Sequence, residues 1–436
     1  MCVSRKNFIG GDLPRQMGTV RVSSSTASTV RRDATSCASP TAASPSTSVM
    51  TCHLKVVAVG FAILAGALSA SAVSVTEFGA KGDGVTDDTA AIQRAIDFIA
   101  ERGGGKITFP YAPKGYRLAA PGQATWKGRA CRAQLCIPAQ PGLNIAFEGE
   151  MPCKLLYSYM VRPKVAGSLF APTRFGTMGM PNTCLFSDWD PPAVTNAAAR
   201  PWAILAAAEG TSCAGKFGAS LVSIANLEFR VRLDRARMYP TQSAVNLQNV
   251  SRAIVRDSQF CLGDNVGDTD LGKELQPNPC HTVGLMMSGD QNDDQVLDNV
   301  AAQGFRYGFV LGEHTVASYL YVHNCEEAIV FHDSTHLSMI NHVVAQHNRC
   351  ILSTTRENLF GHRKGLCNVI VGGIDYEHGQ GTLPVVSRMK YGVYDPENRF
   401  RGSLVHHLGY LGNGTSFFPV VGGKNLSVRS SIVSPK

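Results

Sequence analysis

Val75-Thr-Glu-Phe-Gly-Ala-Lys-Gly-Asp-Gly-Val-Thr-Asp-Asp-Thr-Ala-Ala-Ile-Gln-Arg-Ala-Ile96 joins a short strand to a glycine-rich turn and then to a helix. Asp87 and Asp88 stand where carboxylates cap a helix and complement the partial positive charge of its N-terminus. Ile92, Ala95, Ile96 and Ile99 follow at helical spacing, one apolar stripe that must lie against something. Beyond it, Gly103-Gly-Gly-Lys-Ile-Thr-Phe-Pro110 and Gly115-Tyr-Arg-Leu118 read as two short strands split by turns. The Gly82-Asp-Gly84 and Asp87-Asp88 pairs lack the ligand spacing of an EF-hand, and no P-loop lysine follows. They therefore read as a structural cap, not as a cation or phosphate site.

This run closely resembles the opening of the pectate-lyase superfamily domain shared by rhamnogalacturonases, phage tailspikes and epimerase-like proteins. The resemblance implies an all-β fold, a single-stranded right-handed parallel β-helix with an N-terminal capping helix. It covers only the opening stretch and is specific for fold, not for activity.

Farther along, a short apolar strand that begins with a small residue recurs at Ala244, Gly284, Gly308, Ala328 and Cys350, at intervals of 40, 24, 20 and 22 residues. A period of roughly 20–25 residues is one turn of a solenoid, and the long first interval implies a loop inserted around Gly263–His281. Second elements lie between these strands: Ala253-Ile-Val-Arg-Asp-Ser258, Asp294-Gln-Val-Leu-Asp-Asn-Val300 and Leu337-Ser-Met-Ile-Asn-His-Val-Val344. Each alternates apolar and polar residues as half-buried strands do. The Leu-x-x-Leu-x-Leu frame of leucine-rich repeats is absent, which excludes a horseshoe. Residues 120–215 show no period and read as irregular loops.

Stacked rungs align equivalent residues about 4.8 Å apart, so polar residues at strand ends form ladders. Directly before the repeated strand stand Arg306-Tyr307, Glu326-Glu327 and Asn348-Arg349, with His347 one step farther out. In the polygalacturonase-like hydrolases, which are similar in layout, acidic residues and a histidine occupy these positions. By that resemblance Glu326 and Glu327 take the place of the acidic pair, Tyr307 replaces a third carboxylate and Arg349 replaces the histidine. Directly after the strand, Glu313 aligns with Asp333 across 20 residues, with His314 and His332 beside them. Stacked carboxylates repel, which raises one proton affinity and suits the acid and base of glycoside hydrolysis. A rival set, Asp268, Asp270, Asp293, Asp294 and His314, imitates the family's order but is out of phase with the strands.

The expected function is a glycoside hydrolase acting on an acidic or cell-envelope polysaccharide, with Glu326, Glu327, Glu313 and Asp333 catalytic. Arg306, Tyr307, His332, His347 and Arg349 are expected to hold the substrate. A uronate lyase is the alternative, because Arg306, Tyr307, His347 and Arg349 supply the cation and proton-transfer groups of β-elimination. A non-catalytic carbohydrate-binding or adhesin-like solenoid is the third. No cofactor is expected; calcium would fall to the acidic loop of Asp264, Asp268, Asp270 and Glu274.

The termini and the composition set the remaining limits. The apolar run Val56–Leu68, preceded by His53 and Lys55 and followed by Ala70-Ser71-Ala72, reads as a secretory signal over residues 50–72, with the mature domain at 73–436. Residues 1–49, rich in Ser and Thr, read as a disordered leader or a mis-called start ahead of Met50. A secreted or periplasmic location follows, with no membrane contact after cleavage. The oligomeric state is open. The net charge is +8, but seven Lys/Arg against two Asp fall within residues 1–72. The remainder is close to neutral and gives no reason for a nucleic-acid partner. Ten of thirteen cysteines follow the cut, an even number suited to disulfides in an oxidising compartment. Asn413-Gly-Thr and Asn425-Leu-Ser match the glycosylation pattern only formally.

Overall fold

A computed structural model describes residues 72–151, 182–192, 201–210, 218–231, 241–262, 280–287, 294–332, 335, 337–346, 348–354, 368–377, 391–411 and 420–428. The leader and the signal segment, the acidic loop, Asp333 and His347 lie outside these residues.

The chain alternates between a 14-stranded and a 10-stranded sheet, so that strands adjacent in space come from successive rungs. In the larger sheet Val250–Leu262, Gln295–Gln303, Thr315–His323, Ser338–Gln346, Val369–Glu377 and Arg401–Leu411 lie side by side. In the smaller sheet Gln242–Asn246, Val283–Met286, Tyr307–Leu311, Glu327–Phe331, Cys350–Ser353 and Tyr391–Asp395 do the same. All these pairings are parallel; the hairpin Gln123–Trp126 with Arg129–Ile137 is antiparallel. This is a parallel β-helix, as expected.

The helix read from the opening motif spans Thr89–Glu101 and buries Ile92, Ala95, Ile96 and Ile99. Asp88 sits at its N-cap position but does not cap it. Its carboxylate instead accepts hydrogen bonds from the Lys81 and Gly82 N–H groups at 2.7 and 3.0 Å and so pins the glycine turn. Burial raises the Asp88 pKa. Asp87 takes the local capping role, accepting from Thr89 N–H and Oγ1 and from Ala119 N–H.

Two neighbouring strands of the larger sheet, Val250–Leu262 and Gln295–Gln303, each hold one residue in the left-handed region, Asp257 (φ 45°) and Asn299 (φ 55°). After glycine, Asn and Asp tolerate that backbone best, and Asn299 Nδ2 donates to Asp257 Oδ1 at 2.7 Å across the rungs. Inside the coil, Phe309 pairs with Ile329 and Leu311 with Phe331, all four fully buried. Two consecutive residues of several smaller-sheet strands reach the core, as with Ala244–Val245, Ala328–Ile329 and Ile351–Leu352. The register corrects one detail of the repeat. Tyr307 pairs with Glu327 and Glu327 with Cys350, so the equivalent of Gly308 and Ala328 is Ile351 rather than Cys350. The corner before each strand keeps the same length; the rung from Glu327 to Cys350 is three residues longer than that from Tyr307 to Glu327, and the extra residues fall between Phe331 and Ser338. The turn at Gly304 requires glycine, since φ is +82° and a Cβ there would lie 1.3 Å from Leu262 Cδ2.

The outward face of the larger sheet buries a charged group. Glu228 is fully buried beside Arg230 and forms an ion pair with it. Its carboxylate also accepts from Asn182 Nδ2 at 2.8 Å and Gln259 Nε2 at 2.6 Å.

Of the seven described cysteines after residue 72, Cys131 and Cys136 form a disulfide, while Cys184, Cys261, Cys325 and Cys350 are buried thiols packed as small apolar residues. Among the described residues the expectation of disulfides is met by Cys131–Cys136 alone; Cys153, Cys213 and Cys367 lie outside these residues. Burial pushes the Cys325 thiol up to about 12 and raises the other three. These four should react with a thiol reagent only after unfolding, and a native-state count that includes them would contradict this packing. Among the described residues no helix is long and apolar enough to cross a membrane.

Candidate functional site

Where the larger sheet hands the chain to the smaller one, each rung turns a three-residue corner: Gly304-Phe305-Arg306, Asn324-Cys325-Glu326 and the turn ending at Arg349. Asn348 clamps the last two rungs. Its Oδ1 accepts from Cys325 N–H at 2.8 Å and its Nδ2 donates to Val322 O at 2.9 Å. It is fully buried, so of the predicted Asn348-Arg349 pair only Arg349 reaches the surface.

Backbone hydrogen bonds put Arg306, Glu326 and Arg349 in one row, since Glu327 N–H donates to Arg306 O and Cys350 N–H to Glu326 O. To one side of this row lie Tyr307, Glu327 and Cys350, the first residues of the smaller-sheet strands. To the other lie Gln303, His323 and Gln346, the last residues of the larger-sheet strands. Tyr307, Cys350, Gln303, His323 and Gln346 are buried; Arg306, Glu326, Glu327 and Arg349 are partly exposed. The accessible polar surface of the corner is thus two acids between two arginines.

His281, which the sequence reading missed, holds Arg306 from behind. Its Nε2 lies 3.5 Å from the guanidinium and its Nδ1 lies 3.5 Å from Tyr307 Oη, with the two rings stacked at 6.3 Å. A guanidinium only donates, so Nε2 is the acceptor and the proton belongs on Nδ1, directed at the tyrosine oxygen. Arg306 also lies 5.2 Å from the centroid of the Tyr307 ring and 3.9 Å from Glu326. The guanidinium is therefore oriented by three neighbours. His281 escaped notice because it closes the long inserted loop, where the interval of 40 hides its place in the repeat.

Glu313 and His332 are buried at the opposite ends of the same strands. Glu313-His314 is a tight turn with His314 at φ 54°. Five-residue strands separate the two groups by about 13 Å, more than the roughly 6.5–9.5 Å of an inverting carboxyl pair. Glu313 and the Glu326/Glu327 pair thus belong to different edges of the smaller sheet. Of the rival set, Asp294 is exposed ahead of the larger-sheet strand Gln295–Gln303, remote in register from this corner.

Residues 72–119 match the family model described as rhamnogalacturonase A/epimerase, pectate lyase-like. Alginate lyase 7 of Azotobacter vinelandii is 51% identical over 53 residues, which is 12% of this chain and 6% of that protein. Mannuronan C5-epimerase AlgE6 of the same organism is 50% identical over 50 residues, again 12% of this chain and 6% of that protein. The chain thus spans a small fraction of the length of these curated relatives. Among solved structures, the A-module of AlgE6 aligns over 83% of this chain and 100% of its own, at 16% identity and a TM-score of 0.36. The tailspike of E. coli bacteriophage HK620 in complex with pentasaccharide aligns over 83% of this chain and 64% of its own, at 12% identity and a TM-score of 0.37. The chain opens with a pectate-lyase-like segment and continues as a parallel β-helix.

Proposed function

We propose that this protein modifies a uronate-containing polysaccharide by removing the proton next to a sugar carboxylate, the step shared by polysaccharide lyases and C5-epimerases. The observation that carries the reading is the corner itself: Arg306, oriented by His281, Tyr307 and Glu326, beside the partly exposed Glu327. Proton abstraction next to a carboxylate needs a base and a cation that stabilises the charge developing on the carboxylate. Glu327 is the base and Arg306 the cation. Once the proton has passed to Glu327, a lyase breaks the adjacent C4–O bond as the C4–C5 double bond forms, and the departing oxygen takes a proton from water to become the new hydroxyl end. An epimerase returns a proton to the other face. The relatives matched over about 50 residues, named as an alginate lyase and a mannuronan epimerase, support the same substrate class.

The hydrolase expectation needs a proton-donating carboxyl opposite a second carboxylate. Glu326 is instead ion-paired with Arg306, an arrangement that suits a carboxylate better than a proton donor. The signal-like run Val56–Leu68 supports an exported enzyme, where such polymers are found.

The three chemistries separate in deuterated buffer. Elimination gives ultraviolet-absorbing unsaturated ends, epimerisation gives deuterium at C5 without chain cleavage, and hydrolysis gives new reducing ends with neither. Reducing ends alone, across a panel of acidic polysaccharides, would overturn the reading in favour of a hydrolase.

A further inference from the structure

The row of corner residues Arg306, Glu326 and Arg349 alternates in charge on three consecutive rungs. Rungs stack about 4.8 Å apart, so the pattern of cation, anion, cation repeats over about 10 Å. These three side chains are partly exposed, while the flanking Gln303, His323, Gln346, Tyr307 and Cys350 are buried. A chain lying along the coil axis therefore meets this row first. The two cations are not equivalent. Arg306 is tied to Glu326 and His281, whereas Arg349 makes no side-chain hydrogen bond or ion pair among the described residues; its N–H donates to Cys325 O. A half-buried guanidinium with that freedom favours an incoming carboxylate, which it binds through two parallel hydrogen bonds.

One pyranose of an extended chain is comparable in length to one rung. Resting on the uronate reading above, we propose that this corner selects a glycan in which carboxylates recur on every second sugar, and that Glu326 is the residue that selects. Two alternate carboxylates meet Arg306 and Arg349, and the sugar between them offers hydroxyls to Glu326, which only accepts hydrogen bonds when ionised. A polymer with a carboxylate on every sugar places one against Glu326, and like charges brought together disfavour that partner.

Affinity electrophoresis of the full chain tests this without requiring turnover. The probes are polygalacturonate and polymannuronate, acidic at every sugar, against heparosan, unsulfated chondroitin and the rhamnose–galacturonate backbone of pectin, acidic at every second. At least one alternating polymer should bind about tenfold or more tightly than either homopolymer, with the preference fading at high salt. Glu326→Gln should bring the ratio to within about twofold of unity by strengthening homopolymer binding, while Glu326→Asp keeps the preference. Arg349→Gln should weaken binding of the alternating polymer about tenfold and leave binding of a neutral glucan unchanged. Circular dichroism and melting temperature establish that each variant is folded. Homopolymers that bind wild type as tightly as every alternating polymer, or a ratio unmoved by Glu326→Gln, overturn the proposal. A wild-type chain that shows the binding preference but yields only reducing ends upholds this selection and overturns the proton-abstraction reading instead.

Discussion

Replacing Glu327 by Gln should lower turnover on a uronate polysaccharide by roughly 100–10,000-fold, the usual contribution of a positioned base. The change is nearly isosteric at a partly exposed residue that begins the strand Glu327–Phe331, so the fold and the affinity for polymer should hardly move. The loss therefore belongs in kcat, with KM nearly constant. Arg306→Ala should cost roughly 100–1,000-fold by removing the cation that stabilises the charge developing on the carboxylate. His281→Ala acts through Arg306 and should cost less, and His281→Gln, which can still accept from the guanidinium, should recover part of the loss. Steady-state kinetics on the polymer that gives unsaturated or deuterated product decides these cases. Full activity in Glu327→Gln would remove the base from the mechanism.

The second large effect concerns stability. Glu228→Ala should destabilise the protein by about 3–5 kcal/mol, because it leaves the Arg230 guanidinium buried without its counter-charge. The same substitution strands the donor groups of Asn182 and Gln259, which now point at the carboxylate. The paired change Glu228→Leu with Arg230→Met should be much milder, since apolar residues of similar volume often replace a buried ion pair at little cost. Denaturant melts of the single and double variants give the comparison. Equal losses in both would show that side-chain packing, not the uncompensated charge, sets the cost.

Neither Glu228 nor Arg230 looks special in the sequence, where Leu227-Glu-Phe-Arg-Val231 is an ordinary alternating strand. Alternation reports which residues face one way, and an outward polar residue is normally solvated. Only the folded coil buries this outward face. The same limit applies to the corner. The small-residue strand starts and their intervals exposed the parallel coil, and with it the stacking of Leu311 on Phe331, because repeat geometry is periodic and local. The helix over Thr89–Glu101 was legible for the same reason, since its apolar stripe has the helical period.

The row of Arg306, Glu326 and Arg349 was only partly legible. Counting intervals placed Arg349 beside Glu327, whereas the hydrogen-bonded register sets it beside Glu326, and a slip of one residue decides which charges alternate. The interval from Ala328 to Cys350 is 22 residues, but the rung is 23, because Cys350 and Ile351 are both small or apolar starts and only the hydrogen-bonded register shows which one is equivalent to Ala328. His281 was beyond reach altogether: it joins Arg306 and Tyr307 from the end of a long insertion, and no local pattern encodes that meeting. The sequence by itself determined the coil, its period and the edge on which charged residues gather. The tertiary structure alone decided which of them touch, because register and burial arise from contacts between rungs, and no single rung contains them.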